Sequence, residues 1–169
     1  MLVAGLKGQG KTRFVEGLLQ NLPNVILMNC FEDDFTTIDA PRITDEEEIL
    51  QFLQRLIKEK PKKECVIVID ELLMLCDNKE INKAIRKVLA ICRHFEWIII
   101  GITQRAEKTE LPFKNLFLYR ICFKMIEESA YRTVLGFSRD AVIDRPLYKR
   151  EFIYATESIG IGYTYDIGN

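Results

Sequence analysis

The sequence has one histidine, one tryptophan and no Cys-x-x-Cys pair. It also lacks any apolar run near the about 20 residues that a membrane-spanning helix requires. The five cysteines, Cys30, Cys65, Cys76, Cys92 and Cys122, are widely spaced and lie mostly in apolar runs. They read as free buried thiols of a reducing compartment, and the spacing argues against a structural metal site or a disulfide framework. The formal net charge is -1, so nucleic acid would have to meet a local basic surface and not a generally basic protein. No secretory leader and no membrane span are visible, which predicts a soluble, cytoplasmic protein. Nor does any Gly-, Ser- or Pro-rich stretch divide the chain. With 169 residues, 48% of them hydrophobic, it reads as one domain with one substantial core. Within that domain, residues 1–110 are the expected core, and residues 111–169 add further strands and a short helix.

What is present is an alternation of two patterns. Short β-branched and aliphatic runs occupy residues 1–4, 25–28, 65–69 and 97–102, hardly alternating with polar residues, as strands buried on both faces do. Helical stripes lie between them. Phe14, Val15, Leu18 and Leu19 form one that ends near Asn21 and Pro23. Thr44 and Glu47 have capping-box spacing, opening a helix with Ile49, Leu50, Leu53, Leu56 and Ile57 on one face. A third starts near Asn78 and carries Ile81, Ile85, Val88, Leu89 and Cys92. The C-terminal part reads as a strand over 116–125, a helix over 127–135, and a hairpin over 151–166 broken at Gly160-Ile161-Gly162. This order predicts an α/β fold: a mostly parallel sheet with helices on both faces. His94, which follows the third helix, is expected to interact with that helix end and not to act in catalysis.

Three motifs carry chemistry. Gly5-Leu6-Lys7-Gly8-Gln9-Gly10-Lys11-Thr12 matches G-x-x-x-x-G-K-[ST] between a strand and a helix, the phosphate-binding loop. Its glycines let backbone N–H groups turn inward onto phosphate oxygens. Lys7 and Gln9 complete the loop, Lys11 is placed to bridge the β- and γ-phosphates of ATP, and the Thr12 hydroxyl to bind Mg2+. The apolar run 65–69 then delivers Asp70 and Glu71, two adjacent carboxylates. A strand ending in Asp-Glu is ordinary by itself; downstream of a phosphate loop it reads as a magnesium-holding Asp70 and a water-activating Glu71. The run 97–102 ends in Thr103-Gln104-Arg105. If this strand lies between the other two, Gln104 emerges beside the γ-phosphate.

With these residues in this order, the chain resembles the FtsK/HerA superfamily of DNA-translocating ATPases, especially viral genome-packaging ATPases. The resemblance extends more loosely through Tyr119-Arg120-Ile121 and from Ser129 to Gly136. Residues 92–97 also resemble the Arg-His stretch of Zot-type phage ATPases, which normally carry a membrane span. The resemblance implies a RecA-like P-loop NTPase of the additional-strand, catalytic-glutamate type. It also implies a homo-oligomeric ring, hexameric in the family, that threads double-stranded DNA and docks on a capsid or portal protein. A neighbour's arginine completes each site in such rings; Arg93, Arg105, Arg120 and Arg132 are the candidates.

Charge is unevenly spread. Residues 114–150 carry eight basic against four acidic side chains, and residues 31–48 eight acidic against one basic. A basic side facing DNA or a neighbour is one reading; two solvated faces is the other. The cluster Lys58-Glu59-Lys60-Pro61-Lys62-Lys63 precedes the Asp70 strand and reads as a solvated loop. Two other functions stay open: a nucleotide-controlled switch acting on a protein partner, and a small-molecule kinase. The Asp70-Glu71 pair and the absence of an Arg-rich lid count against the kinase.

Overall fold

The computed structural model describes residues 1–106 and 114–164. The chain runs β1 (Leu2–Ala4), α1 (Lys11–Leu19), β2 (Val25–Met28), β3 (Arg42–Ile43), α2 (Glu46–Glu59), β4 (Cys65–Ile69), α3 (Leu72–Cys76) and α4 (Lys79–Ile91). It continues with β5 (Trp97–Thr103), β6 (Arg120–Phe123), α5 (Glu128–Leu135), β7 (Glu151–Ala155) and β8 (Ile159–Tyr163). The described strands form one sheet in the order β3-β2-β4-β5-β1-β6-β7-β8. Pairing is parallel from β3 to β6, and β7 and β8 complete the edge as antiparallel neighbours.

Successive strand residues point to opposite faces, so a strand apolar at every position needs a cover on both. In β4, Ile67 and Ile69 meet Ile49 and Leu53 of α2, Leu72 of α3, and Ile81 and Ile85 of α4. Val66 and Val68 join the other core, with Val15 and Leu19 of α1 and with Val3, Leu27 and Ile100. The fold is thus a RecA-like P-loop α/β sheet with helices on both faces, as expected. β5 lies between β1 and β4. That insertion brings the carboxyl ends of three strands side by side, where α/β folds bind ligands.

Several local expectations are corrected. Asp45, not Thr44, caps α2: its Oδ1 accepts from the N–H groups of Glu47 and Glu48, both at 3.0 Å. Either oxygen satisfies the spacing rule, and the register is set by burial of Ile49 and Leu53. The strand over 116–125 shrinks to β6, because residues 114–116 form a 3-10 turn that buries Phe117. Leu18 is turned to solvent and Phe14 packs instead against Phe152, ring centroids 4.9 Å apart. Gly160 and Gly162 do not break the hairpin. They belong to β8, and a Cβ there would sit 2.5 Å from the Tyr154 hydroxyl and 2.3 Å from the Phe152 ring. The glycines let those rings lie across the edge strand.

The five cysteines are free; Cys30 and Cys122 are buried, while Cys65, Cys76 and Cys92 are only partly so. β3 and α3 are elements that no periodicity announces, being 2 and 5 residues long. The 110/111 boundary and the end of the hairpin at Asp166 lie outside the described residues. Among the described residues, no helix is long and apolar enough to cross a membrane.

Candidate active site

The phosphate loop leaves β1 between its two neighbours: Gly5 N–H donates to Thr103 O at 3.2 Å and Leu6 N–H to Lys124 O at 3.0 Å. Gly5 has no room for a side chain, since a Cβ there would lie 2.6 Å from Phe123 Cβ. Gly10 turns the chain into α1 with φ 104°, a left-handed conformation that glycine adopts at low cost. The first N–H groups of α1 are thereby aimed at the loop's interior, where the helix field favours an anion.

Lys11 is buried at the start of α1, and its ammonium donates to Leu6 O at 3.0 Å, closing back on its own loop. Burial pulls its pKa down, and the Glu71, Asp70 and Asp34 carboxylates oppose that shift. Asp70 is buried at the end of β4, where burial pushes its carboxyl up to about 6. The neighbouring Glu71 and Asp34 charges add to the rise, while the Glu71 N–H, donated to Asp70 Oδ1 at 2.9 Å, and Lys11 oppose it. Asn29 anchors the same corner by donating its amide to Asp70 O at 3.1 Å. A buried carboxylate held this close to neutrality is short of positive charge. Thr12 and Asp70 line the same cleft, and their oxygen donors suit a hard divalent cation such as Mg2+.

Glu71 takes a left-handed backbone conformation, φ 44°, at the start of α3. A non-glycine residue in that region is uncommon, and here it turns the side chain across the strand ends. The Gln104 carboxamide, carried past the end of β5, donates to Glu71 Oε1. The conditional placement of β5 is therefore met, and Gln104 reaches the carboxylate expected to activate water.

A cleft of about 540 Å³ gathers Lys7, Gly8, Gly10, Lys11, Thr12, Asp70, Glu71 and Gln104. The same walls carry residues that no motif indicated: Asp33 and Asp34 from the loop after β2, and Lys149 and Arg150 from the turn before β7. Gln9 belongs to the loop but not to these walls, and its Oε1 is buried without a hydrogen-bond partner.

The four candidate trans arginines separate. Arg105 and Arg132 are exposed and share with Gln104 a second cleft at the carboxyl ends of the strands. Arg93 precedes β5, and Arg120 opens β6 opposite Leu2, so both stand at the amino end, away from the loop. Arg120 also donates to Val134 O at 3.4 Å. His94 is exposed in the 3-10 turn after α4. The Lys58–Lys63 cluster is exposed at the amino end of β4, as its position in the sequence predicts. Part of the basic surplus is internal: Arg139 pairs with Glu128 at 2.7 Å, Arg145 with Glu151 at 2.7 Å, and Arg150 faces the cleft. A wide basic side therefore shrinks to fewer exposed cations. The segment from 107 to 113, which follows Arg105, lies outside the described residues.

A phosphate loop after β1, paired carboxylates after β4 and a glutamine from an inserted β5 define a P-loop ATPase. The family model of the ATPase family associated with various cellular activities (AAA) matches residues 1–125, and the chain belongs to that family. It is an ATP-binding and ATP-hydrolysing enzyme. Solved structures agree on the fold and are FtsK/HerA-type ATPases together with a viral genome-packaging NTPase. The pCW3 conjugation coupling protein TcpA, in monomer form with ATPγS, superposes with a TM-score of 0.80 at 17% identity over 97% of this chain and 59% of that one. The cytoplasmic domain of the Thermomonospora curvata type VII secretion ATPase EccC gives 0.79 at 16% identity over 99% of this chain and 25% of that one. The genome-packaging NTPase B204 of Sulfolobus turreted icosahedral virus 2, with ATPγS, gives 0.67 at 15% identity over 95% and 94%. No curated protein matches the chain in sequence at a significant level.

Proposed function

We propose that this chain is the motor domain of an ATP-driven DNA translocase, working as a homo-oligomeric ring that packages or transfers viral or mobile-element double-stranded DNA. The observation that carries the reading is Gln104 bonded to Glu71 across β5 and β4, which links the hydrolytic carboxylate to the chain that follows β5. A glutamine that senses the γ-phosphate and leads away from the site is what a motor needs. Residues 1–169 act as one ATPase domain in this reading. Support comes from the conjugation coupling protein and from the packaging NTPase, 94% of whose length this chain matches.

In this reading Thr12 and Asp70 would hold Mg2+, whose charge, when bound, would offset that of the phosphates. The loop N–H groups and Lys11 position the polyphosphate. Glu71 takes the proton of the attacking water, and Gln104 orients Glu71 and reports its state to Arg105. Arg105 and Arg132 are the preferred trans arginines, being the two exposed at the phosphate end. The motor works in the host cytoplasm or on the virion, against a capsid or portal partner.

A second reading has its own support: the type VII secretion ATPases share the fold at a TM-score of 0.79, so the translocated polymer could be a polypeptide. Steady-state ATP hydrolysis with and without double-stranded DNA, beside Glu71→Gln, separates them. Stimulation by DNA, lost in Glu71→Gln with ATP binding retained, supports the DNA motor. Turnover of an assembled oligomer that ignores DNA overturns it and leaves the polypeptide motor or the switch.

A further inference from the structure

The turn before β7 is built to hold one side chain over the phosphate loop. Arg145 and Glu151 form a two-pronged ion pair, at 2.7 and 2.9 Å, and Glu151 also accepts the Tyr148 N–H at 2.8 Å. Arg139 donates to the carbonyls of Ile143 and Arg145, and Leu147 is buried beneath. The turn ends on Arg150, which has φ 72° and whose carbonyl accepts the Thr164 N–H at 3.0 Å. Non-glycine residues enter this left-handed region rarely, and here it swings the side chain off the sheet edge.

That side chain lies over Gly10. Arg150 Cγ is 3.4 Å from where a Gly10 Cβ would be, an ordinary packing distance, so the arginine stem lies directly over the glycine that turns the chain into α1. Beyond the stem, Arg150 and its neighbour Lys149 line the cleft with Gly8, Gly10, Lys11, Thr12 and Arg13. The direction of approach matters. Asp70, Glu71 and Gln104 come from β4 and β5, on one side of β1, and mark the γ-phosphate end. Arg150 comes from β7, beyond β6 on the other side of β1, and flanks the loop there.

We propose that Arg150, with Lys149 beside it, is a nucleotide-binding residue of the same subunit that grips the part of the polyphosphate common to ATP and ADP. The assignment rests on the ATPase reading of the loop. An arginine suits the position because its planar fork meets phosphate oxygens with two N–H groups at once, which a lysine does not do. A contact made equally to substrate, transition state and product changes binding and not the chemical step.

Arg150 differs in this from a neighbour's arginine, which would act on the γ-phosphate and only in the ring. The test uses the full chain, diluted until sedimentation shows monomer, with fluorescently labelled ADP and with ATPγS as probes. The wild type is compared with Arg150→Gln, which keeps the stem over Gly10, and with Arg150→Lys, which keeps the charge. Arg150→Gln is expected to weaken both nucleotides by the same factor, about 10- to 100-fold, the range for a hydrogen bond to a charged group. In the assembled oligomer, assayed separately, KM for ATP should rise by that factor while kcat at saturation falls less than about twofold, and in both assays Arg150→Lys should recover part of the loss. Unchanged ADP affinity in a folded Arg150→Gln, or a loss seen for ATPγS alone, overturns the assignment. A wild-type chain that binds neither nucleotide overturns the ATPase reading itself, and the assignment with it.

Discussion

Gln104 donates its carboxamide to Glu71 across the carboxyl ends of two adjacent parallel strands. The contact depends on the sheet order and on the left-handed turn at Glu71: residues 33 apart in sequence meet because β5 runs beside β4. It leaves Glu71 with one oxygen committed and one able to face water. Gln104→Ala is therefore expected to lower kcat by roughly tenfold or more, the worth of a hydrogen bond to a charged acceptor, with little change in ATP affinity. Single-turnover hydrolysis beside equilibrium binding measures both. A variant with wild-type kcat would show that the contact does not orient the carboxylate.

Asp70 gives the clearest pH dependence. Its carboxyl is pushed up to about 6 by burial, against an ordinary value of 3.8. The native state thus holds a proton that the unfolded chain has released between about pH 4 and pH 6, and linkage makes stability fall across that window as pH rises. The shift corresponds to about 3 kcal/mol of destabilisation by pH 7, in protein without nucleotide or metal. Asp70→Asn should raise the melting temperature at pH 7, by an amount that shrinks as pH falls from about 6 and is gone below about 4, while removing magnesium-dependent turnover. Melting curves from pH 4 to pH 8 check the sign. An Asp70→Asn protein no more stable than wild type at pH 7 would contradict it.

Gly101 tests how tightly the inserted strand is packed. A Cβ there would lie 2.8 Å from Leu72 Cδ2 and 3.2 Å from the Phe117 ring. Leu72 is fully buried at the first turn of α3, immediately after Glu71, and has little freedom to retreat. Gly101→Ala should cost about 1–3 kcal/mol through overpacking, measured by urea unfolding. Because the displaced residue adjoins Glu71, kcat should fall too. A variant as stable as wild type would mean that α3 gives way without cost.

Legibility in the sequence follows the range of the interactions. The loop from Gly5 to Thr12, and Asp70 with Glu71, are contiguous, so their chemistry is legible from residue types and spacing alone. The four central strands are legible because both their faces are covered, which removes polar residues and leaves bare aliphatic runs. Gln104 is legible only on condition of the strand order, a non-local property. Lys149 and Arg150 are not legible: nothing local marks two basic residues before an edge strand, and only β7, folding back beside β6, carries them to a loop about 140 positions earlier. The alternative caps Thr44 and Asp45 offer the same oxygen chemistry one residue apart, so burial of the helix face has to decide between them. Counting charge from 114 to 150 overstates the basic surface, because Arg139 and Arg145 are paired within the same segment or with its neighbour.

The turn that carries Arg150 should be separable from Arg150 itself. Glu151 is its clamp, taking two N–H groups from Arg145 and one from the backbone of Tyr148, and the Arg145 guanidinium holds its carboxyl below the usual range. A lowered carboxyl pKa contributes stability that is present above the unfolded value of 4.5 and is lost as pH falls through the folded one. Glu151→Gln keeps the shape, removes the charge, and should give a small fall in melting temperature at pH 7. The difference from wild type should shrink as pH falls below 4.5 and close only once the folded carboxyl is protonated as well. The same substitution should raise KM for ATP and weaken ADP binding by less than Arg150→Gln does, because the arginine is present but less well held. If Glu151→Gln shifts the melting temperature yet leaves both affinities at wild-type values, the ion pair serves the edge of the sheet and not the nucleotide cleft.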